Sequence, residues 1–265
     1  MKITLKGASN ARDLGGITTP FGKVKFGRLI RCGHLSKITN DDVQILLQNK
    51  LERVVDLRTT IEQANSPDVK IAGVTYVTNP IISATTFGIT YEKSSGEEIG
   101  VMLQAGIQRM LSRGEDPKCH LPILYRKFVN EKISIDGYGS FLKLLANNPV
   151  DGATLWHCSA GKDRVGTCTA LLLHCLGASN EQIMADYLLT NEQSKPFLDM
   201  VMGKICGTLD DEQISLIQGM LSVKEEYLQA FWKEIDLRYG NIDNFISACG
   251  VTQSDIEKLR TNYLE

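Results

Sequence analysis

Short apolar or β-branched runs at Val24–Leu29, Arg53–Leu57 and Val74–Val77 are too brief for helices and read as buried strands. Between the first two lies a segment with helical spacing, Asp41–Asn49, which Thr39 or Asn40 can cap. A fourth run, Ala153–His157, is followed after a short loop by a continuous helix former, Gly166–Leu176. Strands alternating with helices predict an α/β fold with a mainly parallel central sheet flanked by helices. Ligands of such sheets bind at the carboxyl ends of the strands, where Asp56 and Cys158 fall.

The rest of the chain carries the helical period. Ile99, Met102, Leu103, Ile107, Met110 and Leu111 place a helix over Glu97–Arg113, and another is expected over Leu121–Asn130. Together with the Thr-, Ser- and Gly-rich stretch before them, these define a helical insertion over 81–135 in a single domain spanning 1–265. Ile214, Ile217 and Leu221, then Tyr227, Leu228, Phe231, Trp232 and Ile235, mark buried faces in a helical C-terminal extension over 195–265. Ser179 with Gln182, and Ser254 with Glu257, fit capping boxes there.

Chemistry concentrates at the strand-to-helix junction, HCSAGKDRVG, from His157 to Gly166, where five residues separate Cys158 from Arg164. A loop that opens a helix can turn its backbone N–H groups inward from Ser159 through Ala160, Gly161 and Lys162 to Arg164 as an anion nest, and the helix dipole adds positive potential. Gly161 permits the tight turn. Arg164 presents a planar fork that matches two phosphate oxygens, which a lysine cannot do. Cys158 stands where that field favours the thiolate, the nucleophilic form.

HCSAGKDRVG resembles the active-site signature of cysteine-dependent phosphatases, and Lys162 with Asp163 resembles the bacterial and fungal tyrosine phosphatase branch that also accepts phosphoinositides. NARDLGG (Asn10–Gly16), RCGHL (Arg31–Leu35), DLRT (Asp56–Thr59) and DYLLTN (Asp186–Asn191) are similar to further motifs of that branch. The resemblance implies a phosphate monoester hydrolase needing no metal or cofactor. Cys158 would attack phosphorus to give a cysteinyl-phosphate, Arg164 would hold the transferring group, and water would finish the reaction. His157 would position the loop, with Arg12 and Asp13 supporting it. The chain lacks the Trp-Pro-Asp sequence that carries the general acid in many tyrosine phosphatases, so the acid is Asp163 inside the loop or Asp56 at a strand end. Lys162 is expected at the rim, reaching further phosphates of a polyanionic substrate. Relatives carry a helical lid at the insertion, which implies either a lid whose Arg109, Arg113, Arg126 and Lys127 meet substrate phosphates on closure or a helical hairpin that simply thickens the core.

One position departs from the pattern. The residue after the arginine is usually Ser or Thr, whose hydroxyl assists departure of the cysteine sulfur, and here it is Val165. Phosphoenzyme breakdown is then slow unless Thr167 or a water replaces the hydroxyl. A catalytically impaired phosphate-binding module is the alternative that Val165 raises. A rhodanese-like sulfur transferase also uses a cysteine in an anion nest, but does not call for the Arg164 spacing or NARDLGG.

Composition fits an enzyme of the cytoplasm acting on phosphotyrosine proteins or phosphoinositides. Twenty-nine basic and thirty-one acidic side chains are interspersed, so no global field draws the chain to nucleic acid. No apolar run reaches a membrane span, and MKITLKGASN lacks the apolar core of a secretory signal. Seven cysteines show neither a paired framework nor metal-ligand spacing, and His34, His120 and His174 suggest no metal site either.

Overall fold

The computed structural model describes residues 1–84, 86, 96–205 and 209–265, so part of the Thr-, Ser- and Gly-rich stretch and Cys206 lie outside the described residues. The chain opens with β1 (Arg12–Asp13), a hairpin of β2 (Thr18–Thr19) and β3 (Gly22–Lys23), and β4 (Leu29–Cys32). Then follow α1 (Asn40–Gln48), β5 (Leu51–Asp56), α2 (Thr60–Asn65), β6 (Thr75–Thr78), α3 (Gly96–Ser112), α4 (His120–Asn130) and α5 (Lys132–Asn147). Strand β7 (Ala153–His157) feeds α6 (Asp163–Leu176), and α7 (Asn180–Ile205), α8 (Asp211–Leu221), α9 (Glu225–Tyr239), α10 (Ile242–Ala248) and α11 (Gln253–Tyr263) complete it.

The sheet has the order β1-β4-β7-β5-β6. Strands β4, β7, β5 and β6 run parallel, and only β1 pairs antiparallel. Alternate side chains face opposite layers. Val55 and Trp156 enter the main core with Phe141, Leu171 and Phe231, whereas Val54 and Leu155 pack toward Leu46 of α1. The central strand β7 is buried throughout, and its last residue, His157, pairs with Cys32 on one side and Asp56 on the other. Three strand ends thus converge on the start of the HCSAGKDRVG loop.

Two expectations shift along the chain. The apolar run Val24–Leu29 is not a strand: Gly27 takes a left-handed conformation (φ 69°), and its N–H donates to Asp13 Oδ2, so the strand starts only at Leu29. The last helix is capped by Thr252 with Asp255 rather than by Ser254 with Glu257; TQSD carries the same capping pattern two residues earlier. The Ser179–Gln182 box forms as read.

The helical insertion divides between two cores. Leu124, Tyr125 and Phe128 of α4 belong to the main core, while Ile99, Leu103 and Ile107 of α3 pack with Val201 and Ile205 of α7 and Ile217 and Met220 of α8. The 195 boundary falls inside α7, and Leu228, Phe245 and Leu259 of the last three helices fill the main core. Among the described residues, no helix is long and apolar enough to cross a membrane.

Candidate active site

The loop after β7 is held from outside by its carbonyl groups. Ser159 O accepts from His34 N at 3.0 Å, and Gly161 O accepts from Asn10 Nδ2 at 2.6 Å and Arg31 Nη2 at 3.0 Å. Among the described residues, the N–H groups of Ala160, Gly161 and Lys162 donate to no protein acceptor, as an anion nest requires. Gly161 is obligatory on two counts: its φ is 68°, and a Cβ would lie 2.5 Å from the Cys32 carbonyl. Arg31 is clamped by Asp186 at 2.6 Å, and Arg12 by Asp186 at 2.8 Å and by Asn10. Burial would raise the Asp186 carboxyl, but Arg31 and Arg12 hold it below the usual range. Burial and the neighbouring Arg12 charge bring Arg31 down to about 10. Arg12 therefore braces the loop. Asp13 instead pins two turns, accepting from Gly15 N and Gly27 N.

Arg164 is gripped by a carboxylate that sequence reasoning passed over. Glu62 takes both terminal nitrogens, at 2.7 and 2.8 Å, and neither side chain is exposed. Glu62 Oε2 also accepts from Thr59 N, closing the capping box of α2, and that T-x-x-E pattern was its only trace in the sequence.

His157 also has a partner that no motif announced. Its Nε2 lies 2.9 Å from Asp68 Oδ2, and its Nδ1 3.2 Å from Cys158 O. Burial would lower its proton affinity, but the Asp56 charge and the bond and charge of Asp68 outweigh this and raise its pKa. Asp68 is brought down to about 2: burial opposes the shift, and His157 and Arg58 impose it. The Arg58 guanidinium reaches Asp56 at 2.7 Å and Asp68 at 2.9 Å. Asp56, Asp68 and His157 lie close enough to share a metal ion, but this guanidinium already bridges the two carboxylates.

A base with a raised pKa stabilises the fold below its unfolded value, about 6.5, and the increment is lost as pH rises through the folded value. Urea titrations from about pH 6 to about pH 9 should therefore show a steeper fall in stability for the wild-type chain than for Asp68→Asn. Equal slopes would remove the His157–Asp68 pair from this account.

The two lysine-loop expectations fare differently. Lys162 does not stand at the rim: its side chain is 2% exposed, its ammonium donates to Met220 O at the end of α8, and it lies 3.6 Å from Asp163 Oδ2. Burial lowers its pKa, with Asp163 opposing. Asp163, the first residue of α6, accepts from Tyr125 Oη at 2.9 Å, and Tyr125 Oη pairs with Tyr187 Oη at 2.7 Å. Burial and the Asp163 charge push the Tyr125 hydroxyl well above its ordinary value, so it remains a donor. Asp56 has both oxygens engaged by Arg58. Val165 is fully buried in the same core cluster as Cys158 and offers only methyl groups. Thr167 is no substitute, because its hydroxyl accepts from Tyr138 Oη at 2.9 Å and lies against the Arg164 and Asp163 carbonyls.

A cavity of about 850 Å³ opens beside the loop, lined by Ser159, Ala160 and Lys162, by the Lys2–Ala11 run and by Phe197 and Met200 of α7. Its cations are Lys2, Lys6, Lys37, Lys162 and Lys204; Arg109, Arg113, Arg126 and Lys127, expected there from a lid, do not line it.

The family model described as the tyrosine phosphatase family matches residues 3–265. The triple specificity protein phosphatase PtpB of Mycobacterium tuberculosis is 28% identical over 97% of this chain and 96% of its own length. A protein assigned as a tyrosine-protein phosphatase in Cupriavidus necator is 27% identical over 97% of this chain and 86% of its own. A tyrosine-protein phosphatase of Nostoc commune is 23% identical over 87% and 72%.

Proposed function

The chain belongs to the tyrosine phosphatase family and is a phosphoric monoester hydrolase, and from that premise we propose that it removes phosphate from tyrosine-phosphorylated proteins through a cysteinyl-phosphate on Cys158. The observation that carries the reading is the loop itself: carbonyls tied outward, the N–H groups of Ala160, Gly161 and Lys162 without acceptors among the described residues, and Arg164 locked beside them. Cys158 Sγ attacks phosphorus in line with the leaving oxygen, the N–H groups and Arg164 take the equatorial oxygens, and Asp163 gives its proton to the departing phenolate. His157, whose proton affinity Asp56 and Asp68 raise and whose ring Asp68 holds, positions the start of the loop beside Cys158. Water then attacks the phosphocysteine, with Asp163 as base. Rapid quench with a phosphate-labelled aryl ester should trap label on Cys158, and vanadate should block the turnover without any metal added. Label on another residue, or turnover without protein-bound phosphate, would overturn the mechanism.

Phosphoinositide hydrolysis is a second reading, supported by a cavity wall that, among the described residues, contains no carboxylate. Lys162 no longer contributes to it, since its ammonium is spent on Met220 O and Asp163. Competition between a phosphotyrosine peptide and a soluble inositol phosphate decides between the two.

Val165 sets the expected time course. Without a hydroxyl at that position or from Thr167, a burst of product equal to the enzyme should precede a slower steady state. Gaining one hydrogen bond to the leaving sulfur in Val165→Thr should raise the steady rate about tenfold. Linear progress from the first turnover would remove the argument.

A further inference from the structure

We propose that the cavity beside the loop is a docking groove for an extended, acidic stretch of phosphoprotein, which runs from the cradle along Thr4 and Leu5; this rests on the phosphatase reading above. The first observation is charge. Among the described residues, five lysines line the cavity and no Asp or Glu does, although the whole chain carries a net charge of −2. Lys6 is neutralised by Asp41 at 2.7 Å and Lys162 is buried. Lys2, Lys37 and Lys204 remain as exposed cations, with no acidic partner among the described residues. A low-dielectric wall with cations of one sign concentrates anionic ligands at its mouth.

The second observation concerns the main chain. The N-terminal run is anchored at both ends of the groove: Ile3 N donates to Ala11 O, while Lys6 N and Gly7 N donate to the Asp42 carboxylate. Between these anchors, the backbone groups of Thr4 and Leu5 have no hydrogen-bond partner among the described residues. The run continues the sheet past β1 through the bridge of Lys2 to Arg12. An open stretch of backbone at a sheet margin is what an added peptide strand pairs with, and apolar pockets then select alternate side chains. Leu5, Phe197 and Met200 supply such pockets. An inositol head group would use the lysines but has no use for the open backbone or the apolar wall. A peptide uses all three.

The test compares wild type with Lys37→Glu/Lys204→Glu on four substrates: a small aryl phosphate, a phosphotyrosine peptide with acidic flanks, the same peptide with neutral flanks, and a soluble inositol phosphate. KM for the acidic peptide should rise about tenfold with kcat within twofold, and the rise should shrink at high salt. The neutral peptide and the aryl phosphate should each change less than twofold. N-methylation of backbone amides in the acidic peptide should weaken it further in both proteins. The proposal is overturned if acidic and neutral peptides respond alike, or if the inositol phosphate loses affinity while the acidic peptide does not. Failure of wild type to hydrolyse the aryl phosphate would instead overturn the phosphatase reading. Anisotropy of the two labelled peptides on Cys158→Ser protein would still read the docking.

Discussion

Glu62→Ala should unfold the chain about 3–5 kcal/mol more easily and lower kcat/KM on a small aryl phosphate at least about a hundredfold. The Arg164 guanidinium meets both Glu62 oxygens, at 2.7 and 2.8 Å, where neither side chain sees solvent. Removing the carboxylate leaves a cation buried against the core, and its lost counter-charge outweighs the lost capping bond to Thr59 N, worth about 1 kcal/mol. The catalytic loss has a different origin. Arg164 must present its fork at a fixed angle to the phosphoryl oxygens, and a guanidinium without its clamp samples other rotamers. Stability and catalysis can therefore be separated. Replacing both residues, as in Glu62→Leu/Arg164→Met, should recover most of the stability, because an apolar pair of similar volume needs no counter-charge. It should recover none of the activity. An unfolding free energy of Glu62→Ala, from urea titration, within about 1 kcal/mol of wild type would show that the pair does not hold the site.

The different visibility of these residues in the sequence has a physical basis. Cys158, Gly161 and Arg164 lie on one short loop whose spacing is itself the geometry, so their joint placement could be read without a structure. The strand Ala153–His157 and helix α1 were equally plain, one through an unbroken apolar run and the other through its cap at Thr39. Glu62, Asp68 and Asp186 reach the loop only through the crossing of separate elements. Glu62 lies 102 positions from Arg164, and Asp68 lies 89 from His157. Local pattern cannot report such pairings, although Glu62 left a capping signature. Lys162 misled for the complementary reason. A lysine in a loop is ordinarily solvated, and nothing local announced that the C-terminal carbonyl of α8 would be brought over its ammonium. Asp13 was misplaced because its motif is contiguous with Arg12, yet adjacent residues on a strand point to opposite faces.

Asp163→Asn should depress hydrolysis in proportion to how badly the leaving group needs a proton. For phosphotyrosine or phenyl phosphate, kcat/KM, which reports formation of the phosphocysteine rather than its slower breakdown, should fall about 10²–10³-fold, whereas for an aryl phosphate whose phenolate leaves unaided the loss should be under about tenfold. This leaving-group contrast distinguishes a proton donor from a residue that merely shapes the loop, which would harm both substrates alike. Asp56→Asn is the natural comparison. Its carboxylate is engaged by Arg58 at 2.7 Å and stands 3.9 Å from His157 Nε2. It serves the charge balance behind the loop, so its loss should lower stability and leave the leaving-group contrast as in wild type. Tyr125 acts through Asp163, donating to Oδ1 at 2.9 Å from a fully buried position on α4. Tyr125→Phe keeps the ring packing and removes that bond together with the one to Tyr187 Oη, which does not touch Asp163, so it should reproduce a diluted form of the Asp163→Asn contrast, about tenfold on phenyl phosphate. A contrast that appeared in Asp56→Asn and was absent from Asp163→Asn would exchange the two roles. Equal losses on both substrates in Asp163→Asn would leave the proton with water.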